Sequence, residues 1–273
     1  MTSSNIRRPQ VAGQFYPSGS QELKEQIAGL VDKKTLRKNA IACILPHAGY
    51  MYSGRVAVQT ISQVALKDKI VLLGPNHTGY GEEFSLMPSG TWQTPLGEAR
   101  IDANLAKQIL SGSKYLKPDN LAHMHEHSLE VELPILQFFK PGFTFVPISF
   151  LSGDIKKLKE IGREIALVLS QAEKKGSYLL IASSDMTHYE RQEEAERKDK
   201  LAIQAILELD ADKLAANIHK FQISMCGYAP VVVMIEAAKS LGAKKGRLVR
   251  YETSGDVTGD KTSVVGYAGI IIS

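Results

Sequence analysis

Cysteine is scarce in this 273-residue chain, which has only Cys43 and Cys226, and tryptophan occurs once. Two cysteines exclude a disulfide framework, and no CxxC pair is present to hold a structural zinc ion. No uninterrupted apolar stretch approaches the ~18 residues that a membrane span requires. The opening stretch MTSSNIRRPQVAGQFYP lacks the apolar core of a secretion signal. The expectation is a cytoplasmic protein with no membrane partner. Internal repeats, low-complexity tracts and long Gly/Ser linkers are also absent, so one domain over 1–273 is expected. That length buries a large core without covalent help. The formal charge is only +4, and the basic residues fall in small groups such as Lys33-Lys34 and Lys244-Lys245-Gly246-Arg247. A nucleic-acid groove carries a denser basic stripe with aromatics interleaved. These groups read as solvated surface, and no nucleic-acid partner is expected.

What the chain does have is alternation. AIACILP (40–46) has the character of a strand, and RVAVQTISQVAL (55–66) has helical spacing. KIVLLG (69–74) and FTFVPISF (143–150) are apolar throughout, as strands covered on both faces are. Residues 154–175 place Ile155, Leu158, Ile161, Ile165 and Val168 on one helical face, with Asp154 as a cap. SYLLIAS (177–183) is a further strand. Helical stretches follow at 190–208, 211–220 and 229–242, and two strand-like segments, GRLVRYETSG and SVVGYAGIIIS, close the chain. This order implies a layered α/β fold with a mainly parallel or mixed central sheet flanked by helices.

Three apolar strands end in the same way. AIACILP runs into His47, KIVLLGPN into His77, and SYLLIASSDMT into His188, using three of the seven histidines. A single histidine after a strand is commonly a turn residue or a helix cap. Three in this position point to convergence, because ligands in open α/β sheets bind beyond the carboxyl ends of the strands. Pro46, Gly49, Pro75 and Gly79 suit tight turns or close backbone approach there. Asp185, three residues before His188, can accept from its ring and orient it, or can simply cap a turn.

Cys226 precedes a helical stretch, where a helix N-terminus favours thiolate. It can equally be a small buried residue. Cys43 lies within an apolar strand and reads as inert core. In HMHEHSLEVELP, the alternating His123, His125 and His127 can line one face of a strand. Ser128 with glutamates ahead reads instead as a helix start, with Glu126 and His127 touching the site from the side. His219 reads as surface. GPNHTGYG has spaced glycines but no Lys-Ser/Thr, so it is not a phosphate-binding P-loop.

VAGQFYP (11–17), PHAGYMYSG (46–54), GPNHTGYG (74–81), TPLGE (94–98), EHSLEVELP (126–134), SSDMTHY (183–189) and CGYAP (226–230) together resemble the Memo family, named for a mediator of ErbB2-driven cell motility. TSGDVTGD (253–260) and SVVGYAGI (263–270) extend the match almost to the end. The resemblance implies a fold like that of class III extradiol dioxygenases, which hold non-haem Fe(II) on two histidines and a carboxylate. It implies metal ligands His47, His77 and Cys226, with His188 as acid/base and Asp185 beside it. Asn76, Glu126 and His127 are expected to line the pocket. Cys226 stands where the dioxygenases have a carboxylate, so ring cleavage of catechols is not expected. A thiolate favours Cu(I), zinc or an iron of different character. Prokaryotic relatives are associated with a radical-SAM protein and a small third partner, which implies a shared pathway.

Three functions use such a pocket. The first is a metal-dependent redox protein on a single iron or copper ion, with His188 as general acid/base. The second is a non-catalytic module on a dioxygenase-like fold that recognises a peptide or partner; the ligand expected in the pocket is a small molecule or a peptide. The third is a zinc hydrolase.

Overall fold

The computed structural model describes residues 6–32, 36–171 and 177–273. Lys33-Lys34, residues 1–5 of the opening stretch and the last part (172–175) of the expected 154–175 helix lie outside them. Among the described residues, twelve strands form a mixed sheet. They are β1 (Ile6–Arg7), β2 (Ala42–Leu45), β3 (Lys69–Pro75), β4 (Phe84–Leu86), β5 (Thr91–Thr94), β6 (Gly97–Ile101), β7 (Lys117–Pro118), β8 (Thr144–Phe150), β9 (Tyr178–Ser183), β10 (His188–Glu190), β11 (Gly246–Thr253) and β12 (Val264–Ile272). The order is β1-β5-β6-β8-β3-β9-β2-β12-β10, with β11 on β12, β4 on β8, and β7 on β4.

The centre, β8-β3-β9-β2, is parallel, and helices flank it. Every residue of β2, and all of β3 but its first, is buried, which explains why these segments are apolar without alternation. The register sets Leu45 beside Ser183, and Leu73 beside Ala182. Their carboxyl ends therefore finish at one level, and the following loops meet over one edge. The helix Ile155–Ser170 starts as expected, with Asp154 accepting from the N–H groups of Lys156 and Lys157. It packs on the helix Tyr228–Ser240, and the helix Tyr50–Ile61 lies against β11 and β12.

Two expected helices are displaced. The one read over 55–66 runs from Tyr50 to Ile61, beginning directly after Gly49, and Val64 has left it to bridge Lys38. The helix expected to start at Ser128 starts at Glu132, after a turn. Pro134 supplies the reason. Proline fits the first turn of a helix, but a start at Ser128 would put it in the interior, against the carbonyl four residues before. The β5–β6 hairpin and the helices Ser20–Leu30 and Ala103–Gly112 add to the expected elements.

Candidate metal centre

His47 lies two residues beyond the end of β2, His77 two beyond β3, and Asp185 two beyond β9. Equal offsets from neighbouring parallel strands bring the three to one edge. They line a cavity of about 610 Å³ together with His127, His188 and Cys226. Phe15, Tyr52, Tyr189 and Tyr267 supply much of its apolar wall. The expected ligands His47, His77 and Cys226 thus share one cavity. A larger cleft, about 860 Å³, opens near Lys69 and Tyr178 at the amino ends of β3 and β9, and its lining contains no histidine, cysteine or carboxylate.

His47 is the hub and is almost fully buried. Its Nδ1 lies 2.8 Å from Ser183 Oγ, and its Nε2 lies 3.3 Å from Cys226 Sγ and 4.0 Å from Asp185 Oδ2. The Ser183 hydroxyl also contacts Ser128 O (2.8 Å) and Glu132 Oε1 (2.9 Å). Burial pushes the Glu132 carboxyl well above the usual carboxylate range, which favours the acid form. With its single proton on Ser128 O, Ser183 has lone pairs for Glu132 O–H and for His47 Nδ1–H. Nε2 is then the bare nitrogen facing the cavity. Burial, and then the neighbouring His77 and His127, push the His47 pKa down and keep the ring neutral.

Glu126 organises the other two rings. It is buried and accepts from the His77 N–H (2.5 Å) and the Ser128 N–H (2.9 Å). His77 Nδ1 lies 2.9 Å from Glu126 Oε1, and His127 Nδ1 lies 3.6 Å from the same oxygen. The two imidazoles stack, with centroids 4.8 Å apart and planes 21° apart. Burial pulls the His77 pKa down, but hydrogen bonding and charge from Glu126 outweigh it and raise it. Glu126 is held at about 2: burial raises it, and His77 and the Ser128 N–H more than compensate. Asn76 stands in the loop behind. Its Oδ1 accepts from the Thr78 and Gly79 N–H groups, and its amide donates to Tyr80 O. Gly79 is there for conformation (φ 73°) rather than close approach, since a Cβ would meet open space.

Cys226 precedes the helix Tyr228–Ser240, as expected, and accepts from the Asp185 N–H at 3.3 Å. The expectation of a thiolate needs correction. Burial, reinforced by the charge of Asp185, pushes the thiol up despite that N–H and the Gly227 N–H. A proton must therefore leave Cys226 when a metal binds. Close packing holds the sulfur in place, because a Cβ on Gly227 would lie 2.4 Å from Ser183 O and 2.3 Å from Ser184 Cβ.

Asp185 does not hold the His188 ring. It accepts from the His47 N–H at 2.9 Å and from the Ala48 N–H, and burial raises its pKa to about 6. His188 Nδ1 donates to Ser224 O (2.9 Å), while its N–H donates to Ser224 Oγ (2.7 Å). Of the alternating histidines, His127 alone lines the cavity: His123 is buried in a short helix, and His125 is exposed. His219 is exposed, as expected. Among the described residues, two groups have donor atoms that all lie within 4.8 Å of one another, His47–His77–His127 and His47–Asp185–Cys226, so His77 and Cys226 each pair closely with His47 but fall in different groups. Ser183 and Glu132 behind His47 were not expected. The equal offset that makes Asp185 rather than His188 the counterpart of His47 and His77 emerges from the strand ends in the structure; the segments read from sequence, ending at 46, 74 and 183, give unequal offsets and do not show it.

A family model described as "Memo-like protein" matches residues 7–271. The chain is similar to a "MEMO1 family protein" of Aquifex aeolicus, 42% identical over 270 residues, 97% of this chain and 98% of the relative. A "MEMO1 family protein" of Nitrosopumilus maritimus is 40% identical over 275 residues (97% and 98% covered), and one of Methanosarcina mazei 40% over 269 (98% and 99%). Matched along almost its entire length by the family model and by these relatives, the chain belongs to the Memo family.

Proposed function

We propose that this chain is a metal-binding, redox-active protein with a dioxygenase-like pocket, its ion held by His47 with His77 and Cys226 on either side. One observation carries the reading. Protein oxygens orient the rings from behind, with Ser183 Oγ 2.8 Å from Nδ1 of His47 and Glu126 Oε1 2.9 Å from Nδ1 of His77. Histidines that bind metals are oriented in this way, with the other nitrogen left for the ion. The spacing between His47 and Cys226 also fits. His47 Nε2 and Cys226 Sγ lie 3.3 Å apart, against ~3.5 Å for a nitrogen and a sulfur on one tetrahedral ion with ordinary bond lengths.

Iron or copper there supplies one-electron chemistry; zinc would supply only a Lewis acid. The chain's own residues do the rest. Cys226 releases its proton on binding. His188, with Nδ1 committed to Ser224 O, uses Nε2 as general acid/base. Phe15, Tyr52 and Tyr267 form an apolar wall suited to a small molecule or peptide with an apolar part. The family resemblance adds a radical-SAM pathway partner.

A second reading, a non-catalytic peptide-binding module, draws on Met51 and Tyr189, which line the cavity yet stay 63% and 79% exposed. Metal analysis of tag-free protein decides between the two. After anaerobic loading with Fe(II) or Cu(I), close to one ion per chain is expected, and none in His47→Ala. A wild-type protein that retains no ion but binds peptide supports the second reading instead.

A further inference from the structure

Non-glycine residues rarely take a positive φ, and a bulky aromatic one is strained there. Leu209 and Gln222 do so just after helix ends, where the conformation is ordinary. Tyr189 (φ 59°) does so inside β10, beside His188, and the pairing of β10 with β12 shifts register at that point. It lines the cavity yet is exposed, so packing of its own ring does not hold it there. Strain of this kind persists only where the surroundings impose it, and it gathers at functional positions.

The helix Gln192–Leu207 is placed to impose it. Two consecutive residues of that helix grip the residues on either side of the pair His188–Tyr189. Asp199 Oδ1 accepts from the Thr187 N–H at 2.9 Å, and Lys198 Nζ pairs with Glu190 Oε1 at 2.5 Å. Asp199 is fully buried, where an apolar side chain would cost less. Its second oxygen accepts from the Tyr251 O–H at 2.7 Å. β12 makes room for it: a Cβ on Gly266 would lie 1.9 Å from Asp199 Oδ2. The Gly266 N–H donates to Thr187 O at 2.9 Å. Thr187 is therefore fixed through both its N–H and its carbonyl, one residue ahead of an imidazole anchored on Ser224 O. We infer that Asp199 and Lys198 are positioning residues: they clamp segment 187–190 so that the His188 ring stays on Ser224 with Nε2 free, and Tyr189 stays in its strained form at the cavity rim. The inference rests on the reading of His188 as general acid/base, for which a fixed tautomer is needed.

The test is NMR of the histidine rings in the metal-free, ¹⁵N-labelled full chain at pH 8, with His188 assigned by its loss in His188→Ala. Wild type should show a single Nδ1–H tautomer at His188. Asp199→Ala, and to a lesser degree Lys198→Met, should add an Nε2–H form. Asp199→Asn keeps an oxygen for the Thr187 N–H and should restore the wild-type signal. Ile109→Ala, buried in the helix Ala103–Gly112, controls for general loosening. Unfolding midpoints give a second readout: Tyr189→Gly relieves the strain and should raise the midpoint in wild type but not in Asp199→Ala. An unchanged His188 signal in Asp199→Ala, or the same change in Ile109→Ala, overturns the inference. So does an equal gain from Tyr189→Gly in both backgrounds. If the clamp variants move the ring but His188→Ala leaves turnover and ligand binding intact, the positioning stands and the acid/base reading falls.

Discussion

Arg7 and Glu130 form an ion pair at 2.7 Å in which neither side chain is exposed. Arg7 also donates to the backbone carbonyls of His123 (2.6 Å) and Glu126 (2.5 Å) and lies 4.1 Å from the Trp92 ring centre. Glu130 accepts from the Gln10 and Val11 N–H groups and from Tyr16 O–H at 2.7 Å. The pair therefore fastens the segment bearing Phe15 to the loop bearing Glu126 and His127. Removing one partner leaves the other charge buried alone. Arg7→Met is expected to cost about 3–5 kcal/mol in urea unfolding, and the metal affinity of the folded fraction should fall with it. A loss under about 1 kcal/mol would show that water reaches the pair.

The two cysteines should separate cleanly. Cys43 is fully buried in β2, so Cys43→Ser buries a hydroxyl in an apolar strand at about 1–3 kcal/mol and leaves metal binding alone. Cys226→Ser should leave unfolding nearly unchanged and lower Cu(I) affinity strongly. Equal loss of Cu(I) in both variants would show that the cysteines have been assigned wrongly.

His188→Ala tests the acid/base role. Its ring is anchored on Ser224, and it belongs to neither group of mutually close donors. Stoichiometric metal should remain, while turnover or ligand binding is lost. If this variant empties the site as fully as His47→Ala, His188 is a ligand.

His123 is expected to make stability depend on pH. Burial, and then the Arg7 cation, lower its pKa from 6.5 to about 4 in the folded chain. Between those values the unfolded chain holds a proton that the folded chain does not, so stability falls as pH drops from about 6.5 toward 4. The contribution is about 3 kcal/mol across that window. His123→Phe should flatten this part of a stability-against-pH curve measured with chelator present. An unchanged slope would assign the dependence to His47 and His127, whose pKa values are lowered in the same direction.

The parallel centre was legible because β2, β3, β8 and β9 are buried on both faces and so read as apolar runs. The convergence of His47 and His77 was legible for the same reason: strand ends mark loops. Local pattern misled where one residue overrode it, as Pro134 did by moving a helix start to Glu132. Partners far apart in sequence were beyond reach. Nothing near Asp185 indicates that it will accept from the His47 N–H rather than hold His188, because that choice is made by β2 and β9 lying side by side. Ser183 behind His47 is hidden in the same way, since a serine at a strand end has many ordinary uses.

The Ser183 hydroxyl, touching His47 Nδ1, Ser128 O and Glu132 Oε1, fixes more than a tautomer. It aims the ring before any ion arrives, so the centre is preorganised by folding itself. Ordering entropy that a floppy histidine would surrender on binding is already spent. Metal-free and loaded forms should then differ little in shape around His47. Communication of metal status to a partner would have to pass through the less buried side chains, His77 and His127, or through the proton that leaves Cys226.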